Sequence, residues 1–473
     1  MIYIVTISLV VLVLCAITAY KTKQVKNETD FLVAGRTLSW PILVFTLLSS
    51  WIGAGSLLAG AENAYKNGLV ALWQPAGGWL GLLLIAVIAG RARQFAQFTV
   101  PDLLEARYSA TARVLATIAI VISYTVIASY QLIGGGDILH LIFPELARTT
   151  GLYIMAAFVI FFTAAAGMAS IAYLDLVIGS LVTVTVIIAV PILLSKMGGW
   201  DAVRQALPPT HFQILGNYTL GGAIALGLPT LLLLIGNQGM YQKFFSAKSA
   251  RDARNSVIGW IFGTITLETL LVLVALIASA KLHTDRPREI IPLTAKQALP
   301  SALGAILLGG IFAKVISTAN NYLFSPATNL IHDVYERFID PRATQRRKLL
   351  VSRMIVVLLG IFAILQATQF QSVLKASLYA YTVYGTAVTP AVMAIFFWRR
   401  TTTAGAVTSI LLGTVVTVGW QLVQQHGSDA IQKQIGNIDA VYPALVASVL
   451  SLIVVSLLTP APSSVQLGKL EVA

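Results

Sequence analysis

Charge is what this chain has least of. Only 11% of its 473 residues are Asp, Glu, Lys or Arg, against 57% hydrophobic residues and a mean hydropathy of +0.81. A soluble domain carries roughly 25% charge, so the polar surface needed to face water on all sides is missing. That excludes the string of soluble domains that length alone would suggest. Cysteine is nearly absent too: the lone Cys15 lies inside an apolar run, which excludes an internal disulfide framework and a thiolate metal cluster. No phosphate-binding glycine loop is present, so ATP-driven pumping by this chain is disfavoured. His140, His211, His283, His332 and His426 fall near the ends of apolar segments or between them, without metal-ligand spacing. Neither a catalytic constellation nor a cofactor motif is found, and an enzyme is not expected.

What is there, in abundance, is long apolar runs. A helix needs about 20 mostly apolar residues to cross the hydrocarbon of a bilayer. Thirteen segments qualify: 2–20, 39–64, 69–90, 110–142, 150–166, 170–195, 218–242, 254–282, 302–333, 350–368, 372–397, 404–425 and 440–459. The shortest, 150–166, is the weakest of them. The start of the chain has no basic region and no small-residue cleavage site after Ile2–Tyr20, so it reads as a retained membrane helix. The expectation is one all-α polytopic membrane domain over 1–473, lying in a lipid bilayer and, by composition, in a cell inner membrane.

The net charge of +13 is no nucleic-acid signature, because the basic residues sit in the short gaps between apolar segments. With the N-terminus outside, the inner loops hold roughly twice as many Lys and Arg as the outer ones, the bias that orients membrane proteins. Lys21, Lys23, Lys26, Lys243, Lys248, Arg337, Arg346, Arg347 and Lys469 are counted inside; Lys66, Arg148, Arg286, Arg288 and Lys433 are counted outside. The C-terminus is then cytoplasmic.

Two segments carry helix breakers at matching places. The second holds Ser49-Ser50-Trp51-Ile52-Gly53-Ala54-Gly55-Ser56, and the seventh holds Gly227-Leu228-Pro229 and Gly236-Asn237-Gln238-Gly239. Broken helices near mid-bilayer free backbone groups to bind cargo. Glycines in membrane helices also serve close packing, and singly each of these reads that way. Their recurrence at the head of two groups of five segments points instead to an inverted repeat. The halves are 39–195 and 218–398, preceded by an extra helix and inner loop over 1–38 and followed by two peripheral helices over 404–459.

Several stretches then resemble one known family. Gln238-Gly239-Met240-Tyr241-Gln242-Lys243-Phe244-Phe245-Ser246-Ala247-Lys248 is similar to a Q-x-x-x-Q-R-x-x-A-A-K pattern of the sodium/solute symporters. Ala34-Gly35-Arg36-Thr37-Leu38, Thr99-Val100-Pro101-Asp102-Leu103-Leu104-Glu105-Ala106-Arg107-Tyr108, Ile316-Ser317-Thr318-Ala319, Asp333-Val334-Tyr335 and Pro390 through Trp398-Arg399-Arg400 to Gly405 follow in family order and spacing. The resemblance implies a LeuT-like fold and a Na+ site between the first and eighth core helices. Its ligands would be the carbonyls of Ser49 and Ile52, the hydroxyls of Ser317 and Thr318, and a carbonyl at position 314. Oxygen-only ligation of this sort suits a hard monovalent cation. Trp51, Ser56 and Asn237 stand where relatives contact solute. Asn237 offers both donor and acceptor, whereas a tryptophan in a membrane helix serves equally often as packing or as an interface anchor. Asp175 matches a family aspartate of the fifth core helix, but its usual glutamine partner is replaced by Ile178. Asn320 and Asn321 replace hydroxyls that serve a second sodium site in some relatives.

The sharpest departure is Lys314, where the family has a small residue. A lysine at the centre of a membrane helix costs about 2.5–3.5 kcal/mol on insertion scales, so it needs a partner or water. Positions 314, 317 and 318 share one helical face. Three readings stay open. The ammonium replaces the sodium ion, giving a sodium-independent or proton-coupled carrier; Lys314 pairs with Asp175 and is structural; or its stem reaches a water-filled vestibule and touches an anionic solute.

Other embedded polar groups have blander readings. Asp137, after Gly134-Gly135-Gly136, reads as a vestibule residue; Glu268 as a hydrogen-bonding group between helices, with proton relay the alternative; Tyr379, Tyr381 and Tyr384 as packing or an outer gate. The function expected is secondary active transport, cation (Na+)-coupled symport of a small polar organic solute by alternating access, with a sodium-independent or proton-coupled carrier in which Lys314 replaces the cation as the alternative. A membrane sensor on a transporter-like body is the remote alternative, because only Thr459–Ala473 follow the last segment. A channel is disfavoured, since no rings of charge or short pore-loop segment are found.

Overall fold

The apolar segments become helices, and the interruptions read from glycine and proline become breaks. The computed structural model describes residues 2–22, 33–94, 99–165, 168–370, 372–428, 435–436 and 438–463, and they are all-helical apart from loops and one isolated bridge between Leu38 and Ala247. Lys23, Lys26, Lys433 and Lys469, counted above for orientation, lie outside the described residues.

Among the described residues, ten helices are long and apolar enough to cross a membrane, or eleven if the bent pair Val373–Ala387 and Thr389–Phe397 is one span. The count of thirteen is not reached for a physical reason. The second segment is cut at its glycines, which leaves Trp40–Trp51 as a short helix of its own, and Arg148–Ala164 is short as well. Every one of the thirteen segments nevertheless has a helical counterpart.

Two helices dominate the interior. Ser301–Thr328 is the most enclosed, with Lys314 at its midpoint and nearly every residue from Gly304 onward buried. Ala110–Ile142 runs beside it. The two broken elements pack against this centre. The first is Trp40–Trp51, followed by a π-helical turn over Gly55–Gly60 and Ala61–Asn67. The second is Leu220–Gly236 followed by Gln238–Phe245. Small residues allow the closest approaches: a Cβ on Gly77 would lie 1.9 Å from the carbonyl oxygen of Gly227. The helices Ile2–Thr22, Gln345–Ala367, Thr403–His426 and Val441–Leu458 show large exposed apolar side chains, among them Leu12, Leu358, Val415 and Leu458. Such faces suit lipid, where apolar exposure carries no penalty.

Charge gathers at the two ends of Ala110–Ile142. Near its start, Arg113 pairs with Asp102, with Glu105 at 2.5 Å and with Asp333 at 3.2 Å. Thr99 caps the Val100–Arg107 helix, accepting from the Asp102 amide at 3.0 Å, and donates to Asp333 at 3.0 Å. The Thr-Val-Pro-Asp and Asp-Val-Tyr stretches are thereby one cluster. Near the other end, Arg148 reaches Asp137 at 2.8 Å and Glu289 at 2.5 Å, while Arg288 reaches Asp137 at 2.6 Å. Arg113 and Asp137 are 24 residues apart on one helix, hence about 36 Å along its axis. Asp137 is therefore tied down by two arginines, beyond the open vestibule residue read from sequence.

Candidate functional site

The Trp40–Trp51 helix ends because Ile52 leaves helical geometry, at φ −84° and ψ 96°. Gly53 follows in a space only glycine fits, since a Cβ there would lie 2.5 Å from Thr318 Cγ2. The break leaves carbonyls without their usual partners, and it holds them against the Ser301–Thr328 helix.

The Ser49 carbonyl is one of these. Lys314 Nζ donates to it at 2.5 Å, and Thr318 Oγ1 stands 3.5 Å from the same oxygen. Lys314 is 1% exposed, so its amine nitrogen sits where the family resemblance puts a sodium ion. Asp175 is equally enclosed. It accepts from Ser317, from Thr46 at 2.6 Å and from Ser50 at 3.3 Å. Among the described residues no ion pair joins Lys314 to Asp175; the aspartate is met by three hydroxyls. Ile52 is fully buried at the break itself.

A second lysine lies close by. Lys243, counted above as a loop residue, is fully buried and donates to Asn321 Oδ1 at 2.9 Å. Asn321 in turn donates to the Ser317 carbonyl at 2.9 Å, and Asn320 accepts from Thr163 at 2.9 Å. The two asparagines are thus engaged with protein groups. Gln238 and Gln242 explain their motif: Gln238 donates to the Ser325 carbonyl at 3.2 Å, and Gln242 accepts from the Ser325 hydroxyl at 3.1 Å. They tie the second broken helix to the end of Ser301–Thr328.

On the other side of the first break lies a small cavity of about 20 Å³, room for a water-sized group. Trp51, Ser56, Gln74, Thr230, Glu268 and Tyr381 line it, with Gly55, Gly60, Pro75 and Val272. Glu268 Oε1 accepts from Trp51 Nε1 at 3.1 Å and from Ser56 Oγ at 3.0 Å, and Oε2 accepts from Trp79 Nε1 at 2.9 Å. Tyr381 stacks on Trp51 with ring centroids 6.5 Å apart and bonds Tyr130 at 3.2 Å. The structure brings Trp51 and Ser56 together here, and Asn237 is not among the lining residues. It caps the Gln238–Phe245 helix by accepting from the Met240 amide at 3.2 Å, and donates to Tyr322 at 3.3 Å.

Glu268 is the residue that sequence reasoning placed outside the site. Its signal was the acid in mid-span of Ala250–Ser279. What sequence lacked was the neighbour that turns a mid-span acid toward a cavity, namely Trp51, 217 positions away. Trp79 and Lys243 were missed for the same reason.

Broken helices meeting at a buried polar centre define a secondary-transporter fold, and comparisons agree. A Na+-coupled sialic acid symporter, solved substrate-bound in an outward-open state, superimposes with a TM-score of 0.81 at 15% identity, covering 98% of this chain and 99% of that one. A nucleobase-cation-symport-1 family transporter solved in a closed conformation gives 0.60 at 12% identity, over 95% and 100%. In sequence, the sodium/proline symporter of Haemophilus influenzae is 24% identical over 92% of this chain and 90% of its own. The high-affinity proline transporter PutP of Bacillus subtilis is 25% identical over 93% and 95%. The model of the sodium:solute symporter family matches residues 31–413. The chain belongs to that family. It is a multi-pass membrane transporter with a LeuT-like fold, and not an enzyme.

Proposed function

We propose that the chain carries a small polar organic solute by alternating access, with the ammonium of Lys314 doing the work of the coupling cation at the Ser49 site. The observation that carries this reading is the 2.5 Å contact between Lys314 Nζ and the Ser49 carbonyl. A buried ammonium with oxygen partners satisfies the same electrostatic need as a bound sodium ion, and it is tethered, so it cannot leave with the solute. The solute would seat among Trp51, Ser56 and Glu268, in a state of the cycle in which the small cavity between them has widened. Proline is the solute named for the Haemophilus influenzae and Bacillus subtilis relatives, and it belongs among the solutes to be tested. The positive-inside bias supports an N-terminus outside and a cytoplasmic C-terminus in an inner membrane.

A second reading keeps Na+ coupling, which family membership supports. It is favoured by Ser317, Thr318 and Asp175, which stand beside Lys314 as an oxygen set fit for a sodium ion. In that reading the ammonium leaves the Ser49 carbonyl in another state of the cycle and Na+ takes its place.

Uptake into proteoliposomes separates the two. Labelled proline and a panel of small polar solutes are supplied with an inward Na+ gradient, an inward H+ gradient, or neither. The first reading predicts saturable uptake that ignores the Na+ gradient. Uptake that follows sodium in the wild type overturns it and leaves the second.

A further inference from the structure

The solute cavity holds an acid and no base. Glu268 is 4% exposed, and its three donors, two indoles and a hydroxyl, are all neutral. A carboxylate accepts up to about four hydrogen bonds, so one acceptor position remains, on Oε2 beside Trp79. No lysine, arginine or histidine is among the residues lining it. An ionised acid in a membrane span is costly and calls for a counter-charge. The walls bear the same polarity, because Trp51 and Tyr381 present stacked rings, and ring faces attract cations. A solute carboxylate would meet here only the neutral groups of Ser56, Gln74 and Thr230, and would face Glu268.

We propose that the solute carries a positively charged nitrogen, held by Glu268 and by the faces of Trp51 and Tyr381: a small organic ammonium compound without a compensating carboxylate. This rests on the carrier reading above and narrows it. The indole donors of Trp51 and Trp79 hold the carboxylate in place, so loss of the ammonium leaves the acid hydrogen-bonded but uncompensated. Binding would stabilise the turn that also carries the Ser49 carbonyl, which joins solute recognition to the Lys314 site.

The test uses the full-length protein, purified in potassium chloride at fixed ionic strength. Melting temperature and tryptophan emission are followed during titration with choline, putrescine and arginine amide, and with L-proline and succinate as zwitterionic and anionic probes. At least one cation should raise the melting temperature saturably, with an emission change at the same concentrations, since Trp51 and Trp79 donate to the liganded carboxylate. Glu268→Gln should weaken that binding at least tenfold, and Glu268→Asp should retain part of it. Three outcomes each overturn the proposal: no cation of the panel shifts the melt, a cation shift survives unchanged in Glu268→Gln, or the melt shifts without the emission change. Should Glu268→Gln fail to fold, the emission readout on the wild type still decides. Tight binding of proline or succinate that is indifferent to Glu268→Gln would sink the ammonium assignment while leaving the carrier reading intact. Uptake of no solute would sink the carrier reading instead.

Discussion

Lys314 Nζ lies 2.5 Å from the carbonyl oxygen of Ser49, on the last turn of the first broken helix. That turn has three duties within three residues. Ser49 meets Lys314, Ser50 donates to Asp175 at 3.3 Å, and Trp51 donates to Glu268 at 3.1 Å. The Lys314 contact and the Glu268 contact are therefore joined through the backbone of a single helical turn, so a shift in one is expected to move the other.

Gly53 should not tolerate a methyl group. Alanine there would drive its Cβ to 2.5 Å from Thr318 Cγ2, forcing the break away from Ser301–Thr328. Overpacking of this kind costs about 1–3 kcal/mol. Gly53→Ala should lower the melting temperature and abolish uptake, whereas Gly419→Ala, where nothing lies within 4 Å, should be neutral. Equal behaviour of the two variants would show that the break does not rest on Thr318.

Tyr384 holds the second break. Its hydroxyl donates to the Gly236 carbonyl at 2.5 Å and accepts from the Gln238 amide at 3.1 Å, so it satisfies backbone groups on both sides of Asn237. Tyr384→Phe leaves two buried backbone groups unpaired, at about 1–3 kcal/mol each. The expected result is a clear loss of thermal stability with uptake reduced more than tenfold. A variant as stable and as active as wild type would remove this residue from the account.

The Arg148 cluster makes stability pH-dependent in a definite direction. Burial and the neighbouring charge of Asp137 raise the pKa of Glu289 above its ordinary 4.5, and Arg148 opposes the rise. For an acid with a raised folded pKa, ionisation is harder in the folded state than in the unfolded one. Its favourable contribution is thus full below 4.5 and is lost as pH climbs through the raised value. Arg148→Gln removes the opposing cation, so the variant should fall furthest behind wild type at neutral pH and approach it as pH drops toward 4.5. A gap in melting temperature that is flat with pH would contradict the pairing.

Sequence revealed the parts that depend on local order. Apolar length marked the helices, Gly53 and Gly236-Asn237 marked the breaks, and the single lysine amid Ile306–Ile316 marked the centre. Pairings across the chain were harder. Glu268 and Trp51 are 217 positions apart and Lys243 and Asn321 are 78 apart, and only the fold brings them together. Trp40–Trp51 is too short to cross alone because its breakers cut it, a length that hydropathy summed over 39–64 conceals. Asn237 had the right chemistry for solute, yet its carbonyl is turned back to cap the helix it precedes.

The central claim is that Lys314 stands in for the coupling cation, and the most direct test needs no solute. Melting temperature is measured for wild type and Lys314→Ala in sodium chloride against potassium chloride. A ligand that binds only the folded state raises apparent stability by mass action. The account predicts that sodium leaves the wild type unmoved and raises the melting temperature of Lys314→Ala, because the deletion exposes the Ser49 carbonyl and the Ser317 and Thr318 hydroxyls to the free ion. A specific sodium stabilisation of the wild type would contradict it and return the site to Na+.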